Sequence, residues 1–567
     1  MYGHAYKLTS YRIIEVAGIV AFSLATIMIL VVNPSQGVGV VQQIPPSAQI
    51  KAYAYAMPNQ GWAPLIVYYS AFGSESKSGR IVKYEWDLDA NGRYDSNASQ
   101  QSGYASYIYQ KPGKYLVTLK VTDDQGNIAT QSIPVLVRHP ASSNVDYWTV
   151  FDDSSVGRVE LRITQANWDS MWQDPNSKKR VKADINIFGD VVESVAVGMK
   201  GNASLEGSGL KKSWKIDTDY FVEGQEFNNL KQLLFHNNFA DPSLLREKMA
   251  YDMMQFAGLP AGFTTYVEFW IDIVDDNQAS IYWGVYTMVE RVDRKFVANR
   301  FGRDGENGNL YKADAWFEEG AADLAYYGED IQDYPKPRGE VSYGLQTNLD
   351  EPDYRDIIHL CYVIDGEKYE TPEDFARALD VVFNVDGYLR YVAVIFSNLN
   401  LDTYPYTGNN YYIYHNTDSG KFEFIPWDLN NSWGNFAGDA RFPFYGMSCC
   451  VGPLDWAPLF TKVFEVEQYR QDYAAYVDLL TRHWFNREYF GTKAEAWQEM
   501  IDPYLTKETG DKMYFGQTAM YPFDRFSQNR QEIVTLTEQR SEYLRSVLES
   551  GEWRSMAPVT PSENTPE

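Results

Sequence analysis

Apolar residues crowd into one nearly unbroken stretch close to the start of the chain and then settle into two different rhythms. The stretch runs from Ile13 to Val32, IIEVAGIVAFSLATIMILVV, interrupted only by Glu15. Its twenty residues, at ~1.5 Å rise each, match the ~30 Å hydrocarbon core of a bilayer. Lys7 and Arg12 precede it and no Lys or Arg follows until Lys51. That asymmetry predicts a cytoplasmic N-terminus (1–12), a membrane-spanning anchor (13–32) and an exported C-terminal bulk. A cleaved signal peptide has a shorter apolar core, ~7–15 residues, so a retained single-pass anchor is expected, with the C-terminal domains outside the cell membrane. Residues 33–47, NPSQGVGVVQQIPPS, have the Pro, Gly, Ser and Gln content of a linker.

The first rhythm has a period of two. Between 48 and 138 the runs LIVYYSAF (65–72), IVKYEW (81–86), YLVTLKVT (115–122) and SIPVLV (132–137) are separated by turn residues, which predicts a small β-sandwich. Residues 139–155 read as a second linker. The second rhythm is mixed. From 156 to 552, strands are expected at 159–164, 181–188, 265–274 and 280–290, a helix around 243–257, and further helices at 371–383, 385–398 and 530–549. NYYIYHN (410–416) and FEFIPWD (422–428) alternate as a hairpin around Asp418-Ser419-Gly420. The result is an α+β region with a Pro/Ser/Thr-rich tail, 553–567, expected to be disordered.

Composition narrows the function more than the fold. Apolar residues are 44% and charged residues 22% of 567, as in ordinary globular chains, and the length allows two to four domains. With 76 acidic against 50 basic residues the net charge is −26. Such a field repels phosphate backbones, so nucleic acid is not an expected partner. An anionic substrate would need a local basic pocket. Cys361, Cys449 and Cys450 build neither a disulfide framework nor a zinc site. The 43 Tyr and 15 Trp suit cores and carbohydrate stacking alike.

In the β region, Tyr84-Glu85-Trp86-Asp87-Leu88-Asp89, Lys111-Pro112-Gly113-Lys114-Tyr115 and Leu119–Asn127 resemble a PKD (polycystic kidney disease) domain. The resemblance implies an extracellular immunoglobulin-like sandwich, a spacer or a module for a protein or glycan ligand. Within it Asp87, Asp89, Asn91 and Asp95 alternate around Gly92. Ca²⁺ favours such oxygen ligands, and an acidic turn capping its own backbone has the same pattern. Ala98 stands where an EF-hand would place its bidentate Glu, so no EF-hand is expected.

No GxxxxGK[ST], GxSxG, HExxH or HRD motif occurs, and six histidines make imidazole chemistry a poor expectation. Three clusters remain. Met199-Lys200-Gly201-Asn202-Ala203-Ser204 and Lys211-Lys212-Ser213-Trp214-Lys215 place lysines around a small-residue turn, able to neutralise phosphates or to form a solvated face. Asp402, Asn409 or Asn410, and Asp428 in Pro426-Trp427-Asp428-Leu429-Asn430 supply, in order, residue types that phosphoryl transfer uses. On residue types alone they build turns equally well.

The ordered set across 156–550 resembles the CotH family, the spore-coat kinases with an atypical protein-kinase-like fold. It includes the stretches above, Asp241-Pro-Ser-Leu-Leu-Arg246-Glu247, Gly284–Asp293, Gly308-Asn-Leu-Tyr-Lys312, Asn400-Leu-Asp402 and Asn409-Asn-Tyr-Tyr412. The resemblance implies transfer of phosphate from ATP, with Mg²⁺ or Mn²⁺, to Ser or Thr of exported or surface proteins. It would make Asp402 the catalytic aspartate and Asp428 the principal metal ligand, with Asn410 or Asn409 as the second. Lys212 would contact the phosphates, with Lys211 and Lys215 as substitutes, and Glu247 would be its ion-pair partner, with Glu290 as the alternative. Lys200 stands where Arg is usual, a point charge in place of a fork. Asn430 stands where a second Asp is frequent, a weaker ligand for a hard cation. Two other readings share these residues: a non-catalytic surface module binding matrix or glycan, and transfer of a nucleotide (AMPylation) from the same fold.

Overall fold

The period-two segment folds as two packed sheets. One carries β1 (Tyr55–Met57), β3 (Leu65–Ser70) and β5 (Tyr104–Tyr109) in the order β1-β3-β5. The other carries β2 (Gln60–Trp62), β4 (Ile81–Asp87), β6 (Gly113–Asp123) and β7 (Ile128–Arg138) in the order β2-β7-β6-β4. Every second residue of β6, Val117, Leu119 and Val121, turns inward with Tyr69 and Trp86, as pleating requires. The computed structural model describes residues 49–95, 102–138, 149–202, 204–205, 209–302, 307–316, 319–446, 457–510, 520–521 and 523–556. The stretch expected to be an anchor (13–32), the linker 33–47 and residues 557–567 lie outside them. Among the described residues no helix is long and apolar enough to cross a membrane.

The α+β region begins with a closed barrel. Its strands are β8 (Gly157–Ile163), β9 (Val181–Ile187), β10 (Asp190–Lys200), β11 (Ser213–Asp217), β12 (Gln232–His236), β13 (Thr264–Ile273) and β14 (Ile281–Val289). The order is β8-β9-β10-β11-β12-β14-β13, closed by a parallel β8–β13 pairing. Met199, Trp214, Phe235, Phe269 and Trp283 fill its interior. Alternation then sends Lys200, Ser213, Lys215 and His236 to the opposite face.

Against that face lies α1 (Arg246–Phe256). It starts three residues later than the sequence predicts because Asp241 is consumed as its anchor. The Asp241 carboxylate accepts the Arg246 N–H at 2.9 Å and the Arg246 guanidinium at 2.8 Å, while Leu244 at φ 55° keeps the chain out of the helix. The helical half follows with α2 (Pro372–Val382), α3 (Val385–Ser397), α4 (Pro458–Glu465), α5 (Glu467–His483), α6 (Arg487–Gly510) and α7 (Phe523–Ser550). α2 opens with a Thr371/Asp374 capping box. Between α3 and α4, β17 (Tyr411–Asn416) and β18 (Lys421–Pro426) form the expected hairpin, extended by β15 (Leu310–Ala313) and β16 (Tyr343–Leu345) in the order β16-β15-β17-β18.

The sandwich shares a core with the helical half. Tyr55 and Met57 of β1 pack in one cluster with α1, α3 and α5. The buried Arg390 of α3 ties three elements: its guanidinium bonds Asp386 (2.9 Å), the Ala56 carbonyl of the sandwich (2.8 Å) and the Ala257 carbonyl closing α1 (3.3 Å). Gln60 donates to the Gly258 carbonyl at 2.8 Å. Gly258 has φ +83° and a Cβ there would meet Asn59 Oδ1 at 2.9 Å, so this helix end needs glycine for both its left-handed turn and its close neighbour.

Tyr55 also donates to Asp472 Oδ1 at 2.9 Å. Burial pushes the Asp472 carboxyl up from 3.8 to about 7, with hydrogen bonds from Gln468 and Tyr55 opposing it. The folded protein then holds a proton that the unfolded chain releases near pH ~4. This group therefore favours the fold at low pH, and the contribution is lost as pH rises through about 7. Asp472→Asn is expected to flatten that slope and to raise the melting temperature at about pH 8 relative to wild type, with little change at about pH 4; thermal unfolding at both pH values checks it.

Candidate functional site

The cleft between barrel and helical half is built from strand ends and loops. Lys200 ends β10, His236 ends β12, Glu247 lies in the first turn of α1, Asp402 follows α3, and Asp428 follows β18. Four non-glycine residues around its floor have left-handed backbone: Leu399 (φ 55°), Asn410 (φ 55°), Asp428 (φ 54°) and Trp433 (φ 56°). For Leu and Trp that region is disfavoured, and such outliers gather at functional sites.

Asp428 is fixed from α1: its N–H donates to the Tyr251 hydroxyl at 3.3 Å, one turn beyond Glu247. The His236, Glu247 and Asp428 ligand atoms lie within 4.8 Å of one another. His236 Nδ1 is 2.8 Å from Glu247 Oε1 and its Nε2 is 2.5 Å from Lys200 Nζ. Burial lowers the Lys200 pKa to about 8 against the pull of Asp428 and Glu247. Lys215 is lowered to about 7, by burial first and by Arg291 and Arg180 next. Lys312 and Arg291 also act on Lys200. Positive charge thus gathers around Lys200 and Lys215 in an acidic chain, with Arg180 itself paired to Asp217 at 3.3 Å.

On the other wall, Asp402 Oδ2 accepts from Asn431 Nδ2 at 2.8 Å and Oδ1 faces Thr407 at 3.4 Å. Burial raises the Asp402 pKa, and the Asp428 charge adds to the rise. Asn410 donates its amide to the Asp402 carbonyl at 2.7 Å, leaving its oxygen for a cation. Asn409 Oδ1 accepts from Thr407 at 2.6 Å. Asn430 turns toward Phe239, donating to its carbonyl at 3.4 Å.

Several expected residues stand elsewhere. The lysine joined to Glu247 is Lys200, through His236. Lys212 is buried and donates to the Leu205 carbonyl, clasping the small-residue turn, and Lys211 lies 5.3 Å from the Tyr286 ring centroid. Glu290 is buried against Arg300 at 2.6 Å, a structural ion pair at the far end of β14. At the sandwich rim Asp87, Asp89 and Asp95 converge within 4.8 Å, yet Asp87 also accepts the Asn91 and Gly92 N–H groups at 3.0 and 2.9 Å. Sequence reasoning missed His236, Tyr251, Asn431 and Thr407. Alternation in QLLFH places His236 on the Gln232 face, but the strand pairing that brings Lys200 to it is not written in either segment alone.

Residues 197–544 match the sequence model of the family described as CotH kinase protein. The chain belongs to the CotH family. Residues 53–137 match the PKD domain, so this CotH protein carries a PKD domain ahead of its α+β region. It is similar to Inner spore coat protein H of Bacillus subtilis (strain 168), 25% identical over 341 residues, covering 60% of this chain and 83% of that protein. Its sandwich is similar to part of the pre-pro-metalloprotease PrtV of Vibrio cholerae, 34% identical over 128 residues, 20% of this chain and 12% of that precursor. The crystal structure of the PKD1 domain from the same protease aligns at 29% identity over 16% of this chain and 98% of that domain, with a TM-score of 0.13.

Proposed function

We propose that this CotH cleft transfers the γ-phosphoryl group of ATP to Ser or Thr hydroxyls of exported or surface proteins, from a domain held outside the cell by the N-terminal anchor. The observation that carries the reading is the gathering of His236, Glu247 and Asp428 within 4.8 Å of one another, with Lys200 bonded to His236 and the Asp428 charge acting on Asp402. The donor set fits the nucleotide and its metal: hard oxygens from Asp428 and Asn410 for Mg²⁺ or Mn²⁺, and the Lys200–Lys215–Arg291 cations for phosphates. When bound, the metal nucleotide supplies the activated phosphoryl group. Lys200 neutralises phosphate charge. Asp402, with Oδ2 held by Asn431, turns Oδ1 toward an incoming hydroxyl and takes up its proton.

The binding test is thermal. Mg-ATP at a hundred times its Kd should stabilise the protein by about 2.7 kcal/mol. Lys200→Ala is expected to weaken that response by roughly 10–100-fold in affinity, the loss of charge-assisted hydrogen bonds, whereas Lys212→Ala should retain most of it. Equal losses in the two variants would return the phosphate-contacting role to Lys212. A wild-type protein indifferent to Mg-ATP would favour a non-catalytic surface module.

A further inference from the structure

An imidazole stands where a lysine and a glutamate would otherwise meet. Lys200 pairs with Ser213, and Trp214 pairs with Phe235, which sets Lys200, Ser213 and His236 in one row across three strands. Ser213 is small enough for the Lys200 side chain to pass over it and reach His236. The resulting chain is Lys200 Nζ to Nε2 at 2.5 Å, then Nδ1 to Glu247 Oε1 and Oε2 at 2.8 and 3.0 Å. His236 and Glu247 are buried, and Trp427, immediately before Asp428, stands edge-on to the imidazole with ring centroids 6.2 Å apart.

An ammonium only donates, so Nε2 accepts from Lys200 and the ring proton sits on Nδ1, donated to Glu247. Both nitrogens are engaged. The His236–Glu247–Asp428 group therefore does not offer a cation a free imidazole.

We propose that His236 is a positioning residue that relays Glu247 to Lys200, holding the ammonium at the phosphate-binding end of the cleft without a direct ion pair. A lysine bonded directly to a carboxylate keeps its charge, but much of its field at a phosphate is cancelled by that partner. Bonded to a neutral ring it spends one of three N–H donors and keeps two for phosphate oxygens. The carboxylate, one ring away, still fixes the orientation of the imidazole and so couples α1 to the lysine. The ligand's identity rests on the transfer reading above; the tautomer does not.

Two measurements on the full chain separate those levels. In ¹⁵N-histidine-labelled protein without nucleotide, the His236 signal, assigned by its loss in His236→Asn, should report the Nδ1–H tautomer. Asn places an amide nitrogen near the Nδ1 position, so His236→Asn keeps a donor for the buried Glu247 while cutting the link to Lys200. It is expected to melt close to wild type without ligand, yet to bind Mg-ATP about tenfold more weakly, the value of one charge-assisted hydrogen bond. An Nε2–H tautomer overturns the relay. So does wild-type affinity for Mg-ATP in His236→Asn. If the wild-type protein binds no Mg-ATP, the transfer reading falls and the positioning role with it, while the tautomer still decides the geometry.

Discussion

With Asp402 replaced by Ala, phosphoryl transfer is expected to fall by about 10²–10⁴-fold, the usual contribution of a placed general base, while the stabilisation by Mg-ATP persists. The separation follows from where the carboxylate sits. Asp402 bonds Asn431 and faces Thr407, whereas Lys200 bonds His236. Removing it leaves the phosphate contacts intact. Asp428→Ala should behave differently. Asp428 lies beside Lys200 and Glu247, so its loss should remove both transfer and the Mg-ATP-dependent rise in melting temperature. Single-turnover transfer and thermal shift, run side by side on both variants, check the contrast. If Asp402→Ala loses nucleotide binding as fully as Asp428→Ala, the division of roles between the two aspartates is wrong.

Arg390→Ala is expected to cost about 2–5 kcal/mol of stability, about 1–3 kcal/mol for each of the two buried carbonyls left unpaired, with the half-exposed Asp386 adding little. Its guanidinium closes a knot between the Ala56 carbonyl of the sandwich, the Ala257 carbonyl ending α1, and Asp386. It also covers the Tyr476 ring at 4.2 Å, and the Tyr476 hydroxyl in turn bonds Asp386. Because α1 carries Glu247 and α3 leads directly into Asp402, the knot connects the sandwich to both walls of the cleft. Denaturant unfolding measures the loss. A change below about 1 kcal/mol would mean that this contact is no more than a surface ion pair.

Much of this architecture could be read along the chain. The strands of the sandwich, the β17–β18 hairpin and α3 follow the alternation and helical periods to within a few residues, because each packs against the face its own pattern presents. The boundary between the PKD domain and the rest is legible too, but not the fusion of their cores. Tyr55 and Met57 read as ordinary strand residues, and only the fold shows them packed with α1 and α5. The site divides similarly. Asp402, Asp428, Asn410 and Glu247 were visible because turn-forming and carboxylate residues stood out between apolar runs. Lys212 looked the better lysine because it sits in a cluster of three. Its neighbours are strand-ends whose side-chain direction depends on the barrel's closure, and closure points Lys200 into the cleft and Lys212 toward Leu205. His236 was hidden for the same reason: its role depends on the row it shares with Lys200 across three strands.

The most direct test of the central claim is mass spectrometry of the products formed when the purified protein, a candidate exported acceptor and γ-labelled ATP with Mg²⁺ or Mn²⁺ are incubated together, beside the Asp402→Ala variant. The account predicts labelled phosphate on Ser or Thr in the wild-type reaction and at least about a hundredfold less in the variant. AMP attached to protein, or label undiminished by the loss of Asp402, would contradict it.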